Sequence, residues 1–216
     1  LDLASPDGRT IVQQLVRTAD AVVANLPPAT LRQIGLDYPT PEALNPRVVL
    51  VASTAYGTVG PYSAQSGFDS VGQALSGVIY MSGLPGAPSR TGVNYVDFYT
   101  AQACAMGALA ALWARERTGR GQLVEGSLLR SALIQSNAVL IGQAVRAPNR
   151  IPKGNRGYLA GPVDTYATRS GAVMVQAVGQ AMLERWWTWW GAPSCARTRG
   201  FPMTSCVVHT AQTSAR

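Results

Sequence analysis

Asn45-Pro-Arg-Val-Val-Leu-Val-Ala-Ser53 decides the fold. It opens on a turn dipeptide and runs into β-branched, apolar residues without alternation, as in a strand buried on both faces of a parallel sheet. Upstream, Asp20-Ala-Val-Val-Ala-Asn-Leu26 has the same character and stops at Pro27-Pro28. Thr30–Ile34 lies between them, a short helix closed by Gly35. Two buried strands with a helix between them make a βα-type unit, whose crossover is normally right-handed. Further back, Ser5-Pro6-Asp7 signals a helix start, with Ser as cap and Pro in the first turn. Ile11, Val12, Leu15 and Val16 give that helix its apolar stripe. The fold class is α/β, with a parallel sheet and flanking helices.

Downstream, Tyr56-Gly-Thr-Val-Gly-Pro-Tyr62 is a turn-rich loop at the carboxyl end of a strand, where open α/β sheets bind ligands. Residues 67–80 read as one helix whose small positions, 72, 74, 76 and 77, suit tight packing. Pro85 to Pro88 is a loop. Residues 92–122 then set Asp97 at the head of a long helix rich in small residues (Ala101, Ala103, Ala105, Gly107, Ala108, Ala110, Ala111). That helix runs out in a basic turn, Arg115 to Arg120, with Gly119 and Gly121 as stops. No other acid occurs between residues 85 and 115. A carboxylate in this place has two readings. It can cap the helix and complement its dipole, or it can be a nucleophile whose anion the helix start helps to hold.

Gln122–Gly126 reads as a strand, and Ser127 caps a helix reaching about Val145. Residues 148–161, rich in Gly, Pro and Arg, form a linker or an active-site loop. Val163–Thr168 and Ala172–Val178, around Arg169-Ser-Gly171, form a hairpin, and a helix begins at Gln180. From Ser194 the text loses its apolar period and carries no acid.

Composition removes several classes of function. With 47% hydrophobic and 13% charged residues, the chain can bury a core. Its apolar runs, 101–114 and 122–145, are broken by Gln102, Glu125, Arg130 and Gln135, so no membrane span is expected. In the absence of a basic-then-apolar leader, the expectation is a cytoplasmic protein. The formal charge is +7, but the basic residues are dispersed and Lys153 is the only lysine. Nucleic acid is therefore not expected as a partner; phosphate groups of a small ligand make better use of scattered Arg. Cys104, Cys195 and Cys206 form no CxxC pair, and His209 is the only histidine. A metal site would lack ligands, and a Ser-His or Cys-His device would have to use a residue in the irregular tail.

Six stretches in order resemble the class III CoA-transferases, the CaiB/BaiF group that includes formyl-CoA and carnitine CoA-transferases. They are Leu-Asp-Leu-Ala-Ser-Pro-Asp-Gly-Arg at 1–9, Ala-Asp-Ala-Val-Val-Ala-Asn-Leu at 19–26, Leu-Asn-Pro-Arg-Val-Val at 44–49, Gly-Thr-Val-Gly-Pro-Tyr at 57–62, Gly-Phe-Asp-Ser-Val-Gly-Gln-Ala-Leu-Ser-Gly at 67–77 and Ala-Leu-Trp-Ala-Arg-Glu-Arg-Thr-Gly-Arg-Gly-Gln at 111–122. The resemblance covers residues 1–193. It implies a Rossmann-like sheet, and Asp97 falls on the family's catalytic aspartate. That residue attacks an acyl-CoA thioester, passes through an aspartyl-CoA thioester and hands CoA to a carboxylic acid, which explains the lack of a catalytic histidine.

The resemblance also places Asn25, Leu26, Gly67 and Phe68 beside coenzyme A, with Leu26 replacing an aromatic residue. Gln65-Ser66 stands where a basic residue is usual. Gly157 to Gly161 matches a covering loop, with Tyr158-Leu-Ala in place of glycines. In the racemases that share this fold a histidine would stand at Phe68, so a 2-methylacyl-CoA racemase is the runner-up, and a non-catalytic remnant of the family is the non-enzyme alternative.

By the same resemblance the chain is a piece of a longer protein that forms an interlocked homodimer, truncated at both ends and therefore impaired. Residues 1–147 would be a partial large CoA-binding domain and 148–193 the linker and start of a smaller α+β domain. Residues 194–216 would be an aberrant tail explained by a frameshift near codon 193.

Overall fold

The computed structural model describes residues 1–158, 161–189 and 191. They group into two compact units, Leu1–Met81 with Ala87–Ile151, and Ser82–Gly86 with the described residues from Pro152 onward. The tail from residue 194, and with it the frameshift expectation, lies outside the described residues.

The first unit is built on a three-stranded parallel sheet, β1 (Ala21–Ala24), β2 (Val49–Thr54) and β3 (Leu123–Ser127), in the order β1-β2-β3. Ala24 is level with Ala52, and Thr54 with Ser127. Central β2 is covered on both faces, which is why its sequence does not alternate. Ala52 joins Val16, Ala24, Leu31, Ile34 and Leu36 on one side, contributed by α1 (Pro6–Val16), α2 (Pro28–Ile34) and the segment after it. Val49 and Val51 face Cys104 and Ala111 of α6 (Tyr95–Thr118) on the other. The local signals hold: the Ser5 hydroxyl accepts from the Gly8 amide, Gly35 closes α2 at φ 71°, and Gly119 closes α6 at φ 70°. Asn45 ties β2 to α1 by donating to the carbonyls of Val16 and Ala19.

Three local expectations are corrected. Among the described residues β1 is an edge strand, not a buried one, and Val23 is 76% exposed. The helix over 67–80 is two, α4 (Asp69–Leu75) and α5 (Val78–Ser82), because Gly77 takes φ 80° after the first. Of its small positions Gly72 and Ser76 are buried, whereas Ala74 is exposed. The helix after Ser127 also breaks, into α7 (Leu128–Gln135) and α8 (Asn137–Arg146), where the Ser136 hydroxyl donates back to the Ala132 carbonyl. Pro39–Leu44, between α2 and β2, is a further short helix, α3.

Helix α6 runs antiparallel to the strands. Its far end meets their starts: buried Arg115 donates to the carbonyls of Asp20 (3.3 Å) and Arg47 (3.1 Å), and pairs with the Asp20 carboxylate at 2.8 Å. Nearer its start, a Cβ on Gly126 at the end of β3 would stand 2.3 Å from Cys104 Sγ and 3.2 Å from Thr100 Cγ2. One face of the helix, Val96, Thr100, Cys104, Ala111 and Arg115, is buried at helical spacing. The opposite face exposes Phe98, Met106, Leu109 and Trp113.

In the second unit β4 (Val163–Thr168) and β5 (Gly171–Gln176) form the expected antiparallel hairpin, followed by α9 (Gln180–Trp189).

Candidate active site

Because α6 is antiparallel to the sheet, its first turn lies at the carboxyl edge of the strands. Asn25 follows β1 at that edge, Ala55–Tyr62 follows β2, and α7 follows β3. Asp97 lies in the first turn of α6, and its side chain is exposed.

Asp97 does not cap the helix. Asn94 occupies the cap position without a side-chain cap bond, and its Oδ1 accepts from Arg90 at 3.3 Å. The capping group comes from another helix. Asp69 Oδ2 accepts from the backbone amides of Val96 at 2.8 Å and Asp97 at 3.1 Å, satisfying two of the free N–H groups that every helix start carries. Asp69 is 3% exposed. Its other oxygen accepts from Gln73 Nε2, and Gln73, fully buried, receives the Thr91 amide on Oε1 at 3.0 Å and donates to the Val93 carbonyl at 3.4 Å.

With the cap supplied elsewhere, the Asp97 carboxylate accepts no hydrogen bond and forms no ion pair among the described residues. Partial burial pushes its pKa above the usual carboxylate range, and the neighbouring charge of Asp69 pushes the same way. Such a carboxylate is a better base and a better nucleophile than a fully solvated one. The Tyr95 phenol is likewise pushed up by burial and by Asp69, and its hydroxyl is buried with no hydrogen-bond partner among the described residues.

Gly67, Phe68 and Asp97 are drawn together through Asp69, the residue that follows Phe68. Gly67 lies against the Tyr56 ring, where a Cβ would meet Ala55 Cβ at 3.0 Å and Tyr56 Cε2 at 3.5 Å. Phe68 precedes α4 and is 78% exposed, so it is not core packing. Asn25 is exposed, while Leu26 packs against the cluster around Val16 and Ala24. Among the described residues, no hydrogen bond or ion pair joins the Asn25–Leu26 pair to Asp97. Leu159 and Ala160 of the loop matched to the family's cover lie outside the described residues. No cluster of metal-ligating side chains occurs among the described residues, and no helix there is long and apolar enough to cross a membrane.

Sequence reasoning missed Asp69, Gln73 and Arg115 as site-building residues. Asp69 stands inside the quoted Gly-Phe-Asp stretch. Its partner amides are 27 and 28 residues further on, beyond the reach of any local capping rule.

Comparison with known proteins follows the same line. The chain is 32% identical over 176 residues to a succinyl-CoA–D-citramalate CoA-transferase of Chloroflexus aurantiacus, a match covering 81% of this chain and 44% of that protein. It is 34% identical over 181 residues to a succinate–glutarate CoA-transferase of Agrobacterium fabrum, covering 82% and 44%. The chain thus spans less than half the length of either. A CaiB/BaiF family protein from Brucella suis has a similar structure, with TM-score 0.78 and 26% identity over 99% of this chain and 56% of that one. The description of CoA-transferase family III matches residues 1–215, further than the resemblance over 1–193 read from the sequence. The chain therefore belongs to CoA-transferase family III.

Proposed function

We propose that this chain carries the nucleophile of an enzyme that moves CoA between an acyl-CoA and a carboxylic acid, and that Asp97 is that nucleophile. The observation that carries the reading is a carboxylate in the first turn of a helix, exposed at the carboxyl edge of the sheet and relieved of capping by Asp69.

The Asp97 oxygen attacks the thioester carbonyl carbon, the C–S bond breaks, and CoA thiolate leaves a mixed anhydride. The thiolate then attacks Asp97 Cγ, forming the aspartyl-CoA thioester and releasing the donor's acid. The acceptor carboxylate attacks the same carbon and expels the thiolate, giving a second anhydride. Attack of the thiolate on the acceptor's carbonyl carbon regenerates Asp97. The anhydrides lie above the thioesters, but the exchange begins and ends on a thioester, and every attacking and leaving group is a carboxylate or a thiolate, so no proton moves and no general base is required.

Asn25, Gly67 and Phe68 are the proposed CoA contacts, with Leu26 as apolar backing behind Asn25. The absence of a second proton-transfer partner at Phe68 favours transfer over racemisation. The apolar face of α6 supports a homodimer, testable by sedimentation, and a cytoplasmic location goes with the reading. Succinyl-CoA stands in the name of one relative, so it is the first donor to try. Incubation with succinyl-CoA should leave a CoA adduct on the peptide containing Asp97, cleaved by hydroxylamine and absent from Asp97→Ala. An adduct that persists in Asp97→Ala overturns the assignment.

A further inference from the structure

We propose that Asp69 is the positioning residue of the site: its buried carboxylate grips the backbone amides of Val96 and Asp97, leaving the Asp97 side chain free, and Gln73 fixes the direction of that grip. The inference rests on Asp97 being the nucleophile.

Three observations support it. The buried carboxylate of Asp69 meets the positive end of a 24-residue helix, where two converging N–H donors stabilise an anion. Gln73 presents Nε2 to Asp69 and Oε1 to the Thr91 amide, so its amide can sit in only one orientation, and it joins α4 to the chain that leads into α6. Gly72, between them, has no room for a side chain: a Cβ would stand 3.0 Å from Val96 Cγ1 and 3.3 Å from the Leu128 carbonyl oxygen. Helix α4 therefore lies close enough for a side chain as short as aspartate to reach the amides.

The arrangement also puts a second negative charge near Asp97. That charge and partial burial both raise the Asp97 pKa. Arg90, on the preceding loop, is engaged with Asn94, and Tyr95 is the other titratable group on this turn. A residue that only held the helix would not act on the nucleophile's charge.

The test uses Asp69→Ala, Asp69→Asn and the exchange Asp69→Asn/Gln73→Glu in the chain as it stands. In the exchange, the side-chain carbonyl introduced at position 69 keeps the two backbone amides, its NH2 donates to the carboxylate introduced at position 73, and that carboxylate still accepts from the Thr91 amide; only the long bond to the Val93 carbonyl is lost while the charge moves one side chain away. Hydrogen exchange at the amides of Val96 and Asp97 should accelerate in Asp69→Ala, with that of Arg130, capped by Ser127, unchanged. In the exchange variant, protection should persist, while the Asp97 carboxyl, followed by carbon NMR, titrates at lower pH than in the parent.

Formation of the CoA adduct should slow about tenfold in the exchange variant at saturating donor. Unchanged protection in Asp69→Ala, or an unmoved Asp97 titration in both Asp69→Asn and the exchange, overturns the proposal. If Asp97→Ala still forms the adduct, the nucleophile assignment fails, but the exchange and titration results judge the grip independently.

Discussion

Arg115→Met tests what holds α6 against the sheet. Methionine keeps the packing of the aliphatic stem and removes the guanidinium. The Arg47 carbonyl loses a donor at 3.1 Å, and the Asp20 carbonyl loses one at 3.3 Å but retains the Val49 amide. The first loss leaves a carbonyl short of a partner and costs about 1–3 kcal/mol, the second about 1 kcal/mol. The Asp20 carboxylate is 80% exposed, so losing its ion pair adds about 0–1 kcal/mol.

Some of this is offset because the desolvated guanidinium is gone, leaving a net cost of about 2–4 kcal/mol. For a unit of this size that lowers the melting temperature by about 4–16 °C. Asp20→Asn retains an acceptor and should cost less than about 1 kcal/mol. Urea unfolding followed by circular dichroism gives both values. If Asp20→Asn is as costly as Arg115→Met, the ion pair carries the anchor and the carbonyl argument is refuted.

Asp97→Asn should stabilise the fold at neutral pH. The folded-state pKa of Asp97 is raised, so its ionisation opposes folding: stability falls as pH climbs from the unfolded value of 3.8 through the folded one. Urea midpoints should separate at pH 7 and converge below the unfolded pKa; convergence at pH 7 contradicts the sign. Tyr95→Phe should be neutral or slightly stabilising in the same assay, since its buried hydroxyl has no partner among the described residues. Gly126→Ala should cost about 1–3 kcal/mol by forcing Cβ against Cys104 Sγ. Adding Cys104→Ala should recover part of that cost, and a double-mutant cycle showing no coupling would rule out the contact.

Much of the architecture is legible in local chemistry. β2 declares itself by an unbroken apolar run, α1 by Ser5-Pro6-Asp7, and the end of α6 by Gly119. Where the sequence misleads, the cause lies beyond its local pattern. β1 looks buried because Val22 and Val23 are both apolar, but no described strand pairs with its outer edge. Ser136 breaks a helix with no proline or glycine nearby to mark the place. The position of Asp97 is evident from its isolation as an acid. Its freedom is not, because the group that relieves it of capping arrives from α4.

Arg115 and Asp69 grip opposite ends of one helix. Eighteen residues separate Asp97 from Arg115, about 27 Å along the axis. A slide of a single residue, about 1.5 Å, would unseat both grips at once, so α6 has one permitted register, like a bolt with a catch at either end. The coordinate of the candidate nucleophile is thereby written partly at the opposite edge of the sheet. A search for variants that retune the acid without touching it should begin at Arg115, whose guanidinium pins the helix to the Asp20 and Arg47 carbonyls.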